Sequence, residues 1–483
     1  MKTTLASHLL LASLVSSIAG CTALSDADED GAQAIEDAQI PIAAPSGQPW
    51  FKRVGDSTKN GLSFATNVVT DAAGNVIVTG IFNGTLDLGT GLLTSTGKKD
   101  SYVAKFSASG RPLWSKQFIS SGDGYSISTA GGLAVDPRGD VYITGAFGGK
   151  VDFGGGLLES SWAASHFAVK LTADGRHVWS KNFADNTYGT PGAAVAVDAS
   201  GDLLLSGSFR STINFSSAAG VLVSSGGADV YVAKLKGDGT HVWSKRFGGP
   251  LDDQGYAVAA DPSGALLLTG TVNGPVSFGG TPLATGPFVT KLAADGAHLW
   301  SKRFGDATSD IAYSLATSPR GDVVLGGEMT GGVDFGGGPL TPTGKNDIFL
   351  AKLSADGTQQ WAKHFGSDLR FDDNGGVRVA VASNGEVLMG GVYATNIDLG
   401  GGTMAPDGIG GFLARYRADG SYVTERRFRR AGGASSMSET SGVALDSSGS
   451  VVAVGYCQGA VDFGSGVTSS KGFIDSFILK LTL

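Results

Sequence analysis

An all-β fold, and within that class a seven-bladed β-propeller of four-stranded blades, is predicted by three features of the sequence. A unit of about sixty residues recurs, marked by Trp50, Trp114, Trp179, Trp243, Trp300 and Trp361, with Thr424 at the seventh equivalent place. That period is too long for ankyrin or tetratricopeptide repeats and suits one propeller blade. Within each unit, short apolar runs alternate with glycine-bearing turns, the pattern of short antiparallel strands. Finally, the repeats begin with a tryptophan strand, Trp50-Phe51-Lys52-Arg53-Val54, and stop after a third strand, Ser476-Phe477-Ile478-Leu479-Lys480-Leu481. Residues 50–54 are therefore expected to complete the last blade by pairing with residues 475–482, which leaves no open sheet edge.

The first element along the chain, residues 1–20, is an export signal. Lys2 precedes the apolar run Leu9-Leu10-Leu11-Ala12-Ser13-Leu14-Val15, and Ile18-Ala19-Gly20-Cys21 follows. A basic head, a brief apolar segment and small residues before the cut describe a secretory signal, since a membrane span needs about 20 apolar residues. Cysteine directly after Ala-Gly resembles the lipobox of bacterial lipoproteins. The resemblance implies cleavage before Cys21, acylation of its thiol and attachment to a membrane through the acyl chains. Thr22 stands where an aspartate would retain such a protein in the inner membrane, so outer-membrane delivery is expected.

Residues 21–49 form the second element. Asp26, Asp28, Glu29, Asp30, Glu36 and Asp37 lie among alanine and serine, and Pro41, Pro45 and Pro49 follow. With little to bury, this segment is expected to be a disordered acidic tether with a root-mean-square reach of about 30 Å. The formal charge of −8 gives an exported protein no electrostatic attraction to nucleic acid. Once Cys21 is lipidated only Cys457 is left, so no internal disulfide forms. Residues 50–483 must then be held by packing alone, as one monomeric body with repeats starting near 50, 114, 179, 243, 300, 361 and 424.

The second unit shows why a blade results. Gly132-Leu133-Ala134-Val135-Asp136 reads as a strand, Pro137-Arg138-Gly139-Asp140 as a tight turn, and Val141-Tyr142-Ile143-Thr144-Gly145 as the next strand. His166 to Leu171 gives a third strand, Thr172-Ala173-Asp174-Gly175 a second tight turn, and Val178 to Phe183 a fourth strand. Glycine supplies the positive φ that such hairpin loops require. Strands apolar on both faces must stack against copies of themselves.

These units resemble the bacterial β-propeller repeat of secreted and lipid-anchored proteins often called the SBBP repeat. The resemblance rests on the Ala-Val-Asp strand, the Gly-Asp turn, Thr-Gly-x-Phe, Asp-Phe-Gly-Gly-Gly (Asp152 to Gly156, Asp334 to Gly338), Phe-Val-Ala-Lys-Leu and Trp-Ser-Lys-x-Phe-Gly, and it covers residues 50–483. It implies a fold and no particular activity, since the family shares none, so no catalytic residues are carried over.

If strands follow chain order within a blade, both tight turns lie on one face and the variable connections on the other, where binding residues are expected. Loops after the tryptophan strand carry Asp123 and Tyr125, Asp185 and Tyr188, Asp252 and Asp253, Asp310 and Tyr313, and Asp372 and Asp373. Carboxylates beside aromatics suit a sugar, a peptide or a calcium ion, and equally a solvated acidic loop. Glu328 stands where other units have Ile81, Ala146, Ser208, Thr271, Val392 and Tyr456, so its charge must be paired, reach the axial channel or shift its pKa. Arg378 is the expected partner, and Glu328 is the candidate functional acid.

Two basic rings recur with the repeat: Lys105, Lys170, Lys234, Lys291, Lys352, Arg415 and Lys480, and Lys52, Lys116, Lys181, Lys245, Lys302, Lys363 and Arg426. Their expected role is structural, each stem covering strand surface and each ammonium reaching a turn aspartate such as Asp174 or Asp356. A basic rim facing anionic lipid is the alternative. His177, His241 and His298 fall in separate units as exposed strand ends and cannot share a metal, while Cys457 aligns with apolar wedge positions and reads as a buried thiol.

The function that follows is an outer-membrane or cell-surface lipoprotein whose propeller binds or scaffolds an envelope protein or glycan without catalysis. No catalytic residue, metal or cofactor is assigned. The alternative is a carbohydrate-active or quinone-dependent propeller enzyme, and paired carboxylates at the loop face would favour it.

Overall fold

The computed structural model describes residues 48–483 except 57–60, 97–98, 122–129, 161–163, 184–192, 217–219, 306–309, 367–375, 406, 434–435 and 465. The signal, Cys21 and most of the tether lie outside the described residues. Among those described, every regular element is a β-strand and no helix is present.

Seven antiparallel sheets carry the architecture. Their first strands are Leu62–Thr70, Ala130–Val135, Ala194–Val197, Gln254–Ala260, Ile311–Thr317, Arg378–Val381 and Met437–Leu445, numbered here as sheets 1 to 7. In sheets 1 to 6 the next three strands follow in chain order, and sheet 1 is widened to six strands by the hairpin Lys150–Asp152 and Leu157–Glu159. Sheet 7 continues with Val451–Gln458 and Asp475–Leu481, and its outer strand is Trp50–Val54. There Trp50 pairs with Lys480 and Val54 with Ser476. Each first strand touches the first strand of the sheet on either side, and Met437–Leu445 touches Leu62–Thr70. The arrangement is propeller-like.

The core sits between sheets. One apolar cluster joins Ile77 and Val103 of sheet 1 to Val141, Ile143 and Phe167 of sheet 2, and another joins Val452, Val454 and Ile478 of sheet 7 to Val76, Val78 and Phe106 of sheet 1. Third strands such as Ser165–Leu171 and Asp229–Leu235 are buried at every position, because each lies between two neighbouring sheets. At about 1.5–3 kcal/mol for each large apolar side chain, these interfaces are the main source of stability.

The recurrent turns follow one pattern. In the first turn of sheet 2, Asp136 Oδ1 accepts from the backbone N–H groups of Arg138 and Asp140, both at 2.9 Å, and Gly139 takes φ 85°. That left-handed conformation is the reason for glycine.

Lysines of the third strands tie these turns together. Nζ lies 2.9 Å from Asp71 for Lys105, 2.8 Å from Asp198 for Lys234, 2.7 Å from Asp261 for Lys291 and 2.7 Å from Asp446 for Lys480. Lys170 reaches Asp140 at 3.1 Å, Lys352 reaches Asp322 at 3.2 Å, and Arg415 reaches Glu386 at 2.6 Å. The partners therefore belong to the first turn of the same sheet. Asp174 and Asp356, expected from the sequence to take this role, instead accept from Thr172 and Ser354 within their own turns.

The lysine and the tryptophan of one sheet converge on a single carbonyl of the next. Lys105 Nζ and Trp114 Nε1 both donate to the Ala173 carbonyl at 3.1 Å, and Lys352 and Trp361 to Ala418 at 3.1 and 3.0 Å. Lys480 and Trp50 donate to Ala108, both at 3.1 Å, so sheet 7 grips sheet 1 as sheet 1 grips sheet 2 and sheet 5 grips sheet 6. The junction of sheets 6 and 7 explains Thr424. Asp475–Leu481 and its outer neighbour Trp50–Val54 are not joined by a turn, so an indole at 424 would meet no turn carbonyl, and Arg415 donates to the Leu483 carbonyl at 2.9 Å.

The second tight turn needs glycine twice over. Gly175 takes φ 84°, and a Cβ there would come within 2.8 Å of the Trp114 ring. Gly175→Ala is expected to cost about 2–3 kcal/mol in denaturant unfolding, from left-handed strain plus displacement of the indole. A loss below about 0.5 kcal/mol would show that the indole does not depend on that close approach.

Candidate functional site

Because neighbouring strands are antiparallel, the connections after the second and fourth strands share one end of the sheets. Of the acids and tyrosines expected there, Asp123, Tyr125, Asp185, Tyr188, Asp372 and Asp373 lie outside the described residues. The described acids are bonded within the protein, and Tyr313 meets the Tyr256 ring. Asp253 is sealed from solvent and accepts from the N–H groups of Asn273 at 2.7 Å and Gly249 at 2.8 Å. Burial pushes its carboxyl above the ordinary range, against those bonds. Asp310, also sealed, accepts from Thr330 at 2.8 Å and Gly331 at 3.0 Å, and Asp56 accepts in the same way from Thr85 at 2.9 Å. Each of these acids clips the connection before a first strand to the hairpin that follows the second. Asp252 pairs with Arg210 at 2.8 Å and accepts from the Ala228 N–H at 2.8 Å. Burial opposes its ionisation, but these bonds hold its carboxyl below the usual value.

A second group of side chains gathers at this same end around the inner strands. Glu328, near the end of Val323–Met329, pairs across the ladder with Ile311. Tyr256 and Tyr313 each sit at a register shift of a first strand, between Gly255 and Ala257 and between Ala312 and Ser314. A bulge of this kind re-aims a side chain that regular alternation would have directed elsewhere. Their rings meet edge to face at 5.7 Å. Arg378 opens the first strand of sheet 6, where Nε donates to the Ser441 carbonyl and Nη1 to the Gly376 carbonyl, both at 3.1 Å. Glu439 of sheet 7 accepts from the Tyr456 hydroxyl, and the Tyr456 ring meets Phe64 edge to face at 5.0 Å.

Glu328 and Arg378 thus belong to one electrostatic cluster, but the guanidinium is tethered to backbone carbonyls and shared with Glu439. Burial pushes Glu328 up to about 7, with Arg378 pulling it down and Glu439 adding to the rise. Glu439 is likewise pushed up to about 7 by burial, against its bond from Tyr456 and the charge of Arg378. Burial lowers the pKa of Arg378, and the two glutamates and Tyr313 oppose that shift. Tyr256 is pushed up to about 12 by burial.

These shifts give stability a pH dependence. A carboxyl raised from its ordinary 4.5 to about 7 binds more protons folded than unfolded, so stability falls as pH rises between those values and stays reduced above them. Glu328→Gln removes that penalty. It is expected to stabilise the protein by about 1–3 kcal/mol at pH 8 and to change nothing at pH 4, as read by thermal unfolding.

Sequence reasoning found Glu328 and Arg378 because each breaks the repeat. Tyr313 was found as a loop aromatic, but Glu439, Tyr456 and Tyr256 were missed. Glu439 is as foreign to its strand as Arg378 and could have been found by the same comparison. The tyrosines could not, because their direction depends on bulges.

The remaining candidates are accounted for locally. His177, His241 and His298 are half-buried and each bonds the serine three residues on, at 3.1–3.2 Å. Cys457 is buried, and burial pushes its thiol up to about 12. Among the described residues, no group of three or more His, Cys, Asp or Glu side chains can hold a metal ion.

No family model matches the chain. It is 21% identical over 437 residues to an uncharacterised WD repeat-containing protein, L264, of Acanthamoeba polyphaga mimivirus, covering 71% of this chain and 30% of that one. It is 23% identical over 279 residues to the regulatory protein FlaEY of Caulobacter vibrioides, covering 53% of this chain and 29% of that one. The chain therefore spans about a third of the length of these relatives. Among solved structures, an ulvan lyase of polysaccharide lyase family PL25 overlaps 84% of this chain and 93% of its own at 11% identity and a TM-score of 0.44. A protein of unknown function from Dyadobacter fermentans overlaps 73% and 94% at 13% identity and a TM-score of 0.38. The NanB sialidase of Streptococcus pneumoniae overlaps 93% and 73% at 11% identity and a TM-score of 0.38. Likenesses at this level carry no activity over to this chain.

Proposed function

We propose that this chain is an exported lipoprotein, anchored to the outer membrane through Cys21, whose body is a closed seven-bladed propeller of SBBP-type repeats that binds an envelope protein or glycan. The pairing of Trp50–Val54 with Asp475–Leu481 and the grip of Lys480 and Trp50 on Ala108 support closure. The observation that carries the binding role is the cluster of Glu328, Arg378 and Glu439 with Tyr256 and Tyr313 at the loop end of the inner strands, where sheets 5, 6 and 7 each contribute a charged side chain that breaks the repeat pattern. Groups spent on stability alone would have no reason to break the repeat in three successive units.

The test is capture of envelope proteins and glycans by the detergent-purified lipoprotein, wild type against the double variant Glu328→Ala and Arg378→Ala. Loss of capture with an unchanged melting temperature supports the reading, and undiminished capture removes the axial end as the site. Mass spectrometry of the mature amino terminus tests the anchor. An acylated cysteine is expected in wild type, and Cys21→Ala is expected to release the protein from membranes.

A second reading, a carbohydrate-active enzyme, draws on one feature: two carboxyls held near pH 7 beside a common guanidinium, which suits general acid catalysis. Turnover of a captured glycan, abolished by Glu328→Gln, would establish it over simple binding.

A further inference from the structure

Resting on the lipid anchor proposed above, we infer that the outer rim where sheets 6 and 7 meet, with Arg427, Arg429 and Val467 at its surface, docks on the phosphate headgroups of an anionic lipid surface and so orients the body against the membrane. The first argument is a break in the repeat. Arg429 aligns with Gly55, Ile119, Ala184, Gly248, Gly305 and Gly366, and no other unit has a basic residue at the place of Arg430 either. Arg429–Arg430 continues the outer strand of sheet 6 and forms a three-stranded sheet with the hairpin of sheet 7, Ala460–Asp462 and Val467–Ser469. Arg429, Asp462 and Val467 stand opposite one another across that sheet, so their side chains share a face. Arg429 is exposed and Val467 is 60% exposed, whereas Val461 on the other face is sealed. The row of Arg429 and Val467 therefore meets solvent.

The second argument is charge left unspent. Arg138, Arg176 and Arg210 lie 2.8–3.0 Å from aspartates, and the lysines of the third strands are taken up by the turn carboxylates. Arg427 donates to the Ala405 carbonyl at 3.0 Å, at the surface, and among the described residues neither Arg427 nor Arg429 makes an ion pair. Asp462, between Arg429 and Val467 in the row, turns its Oδ1 to the N–H groups of Gly464 at 2.7 Å and Gly466 at 3.3 Å. A guanidinium matches phosphate oxygens with paired N–H donors. A chain of net charge −8 is repelled as a whole by an anionic surface, so contact falls where cations are unpaired.

The third argument is placement. Residues 21–49 join the body at Trp50, the first residue of the outer strand of sheet 7. Arg53 of that strand donates from Nη1 to the Thr468 hydroxyl at 3.2 Å, and the Phe51 ring lies 4.9 Å from Phe463. The hairpin that bears Val467 is thus fastened both to the strand where the anchored segment enters and to the strand that bears Arg429. An exposed valine beside an unpaired guanidinium suits the boundary between headgroups and acyl chains. A soluble acidic protein would use the arginines but gain little from one valine. In sheet 1 the corresponding row reads Ile119, Asp152 and Leu157, exposed and apolar but without a cation.

The experiment is co-sedimentation of the mature-length chain, residues 21–483 with Cys21→Ala, with vesicles of phosphatidylcholine alone or with one-third phosphatidylglycerol. Binding to the anionic vesicles is expected to be at least tenfold tighter than to the neutral ones at low salt, and to vanish at about 0.5 M salt. Arg427→Gln and Arg429→Gln should each weaken it about fivefold, the factor for one basic group near an anionic surface. Val467→Ser should weaken it about threefold through lost apolar contact. Arg176→Gln, an exposed arginine already paired with Asp174, should change it by less than about twofold. Unchanged melting temperatures in Arg429→Gln and Val467→Ser keep these losses separate from folding. Equal binding to both vesicles, or equal loss in Arg176→Gln and Arg429→Gln, overturns the inference. Displacement from the vesicles by inorganic phosphate would replace the lipid with a small phosphate ligand, and capture by polyglutamate without vesicle binding would replace it with an acidic protein; either result overturns the lipid surface. No acyl chain takes part in this measurement, so the fate of the anchor is read separately, from mass spectrometry of the mature amino terminus.

Discussion

Deletion of residues 48–55 is expected to lower stability by more than about 5 kcal/mol and to broaden or split a single unfolding transition. This strand buries Trp50 and Val54, and it pairs with Asp475–Leu481 along its whole length. Loss of a buried tryptophan alone costs about 3–5 kcal/mol. Arg53, 3.2 Å from the sealed Asp475, goes with it and leaves a buried carboxylate short of its cation. The bare edge of Asp475–Leu481 would also invite pairing with another copy, so concentration-dependent association is expected in light scattering. If the ring is not closed through this strand, the deletion will lower the midpoint by no more than any outer strand does and leave cooperativity intact.

Lys480→Ala is expected to be among the most damaging single substitutions, at about 3–5 kcal/mol by denaturant titration. Its ammonium is nearly sealed, 2.7 Å from Asp446 and 3.1 Å from the Ala108 carbonyl. Removal leaves Asp446 buried and unpaired and takes away one of the two donors by which sheet 7 holds sheet 1. The double variant Lys480→Met with Asp446→Asn removes both charges while keeping the turn oxygen that Ser448 and Ser450 use, and should recover much of the loss. The pair also has a pH signature. Burial raises the Asp446 pKa, but the bonds from Lys480 and Ser448 outweigh it and hold it below 3.8. The stabilisation is therefore present above the unfolded pKa and is lost as pH falls through the folded one, so acid unfolding should begin at a higher pH in Lys480→Ala. A cost under 1 kcal/mol would show that the ion pair does not hold the junction.

The all-β class and the four-stranded antiparallel sheets were legible because the repeat averages the signal over many copies. Apolar runs, Asp-x-x-Gly turns and tryptophans recur in step, and a chance pattern would not survive seven repetitions. The lysine ring was legible as a regularity but not in its partners. Asp174 is far nearer to Lys170 along the chain than Asp140 is, yet the pairing of the second and third strands places Asp140 against the ammonium. Asp253 and Asp310 illustrate the same limit. As loop acids they read as ligand groups, yet the fold turns them inward to backbone N–H groups of the following hairpin.

What the sequence determined by itself is therefore everything that depends on local pattern: strand, turn, the sheet as unit, and the oddity of Glu328, Arg378 and Thr424 within it. What only the tertiary structure decided is which of those oddities meet. Glu328, Arg378, Glu439 and Tyr313 are up to 126 residues apart along the chain, and they share one space because inner strands of successive sheets lie side by side and bulges redirect their side chains. Electrostatic and hydrogen-bonding energy depends on distance in space, and a linear pattern of residue types does not contain that distance.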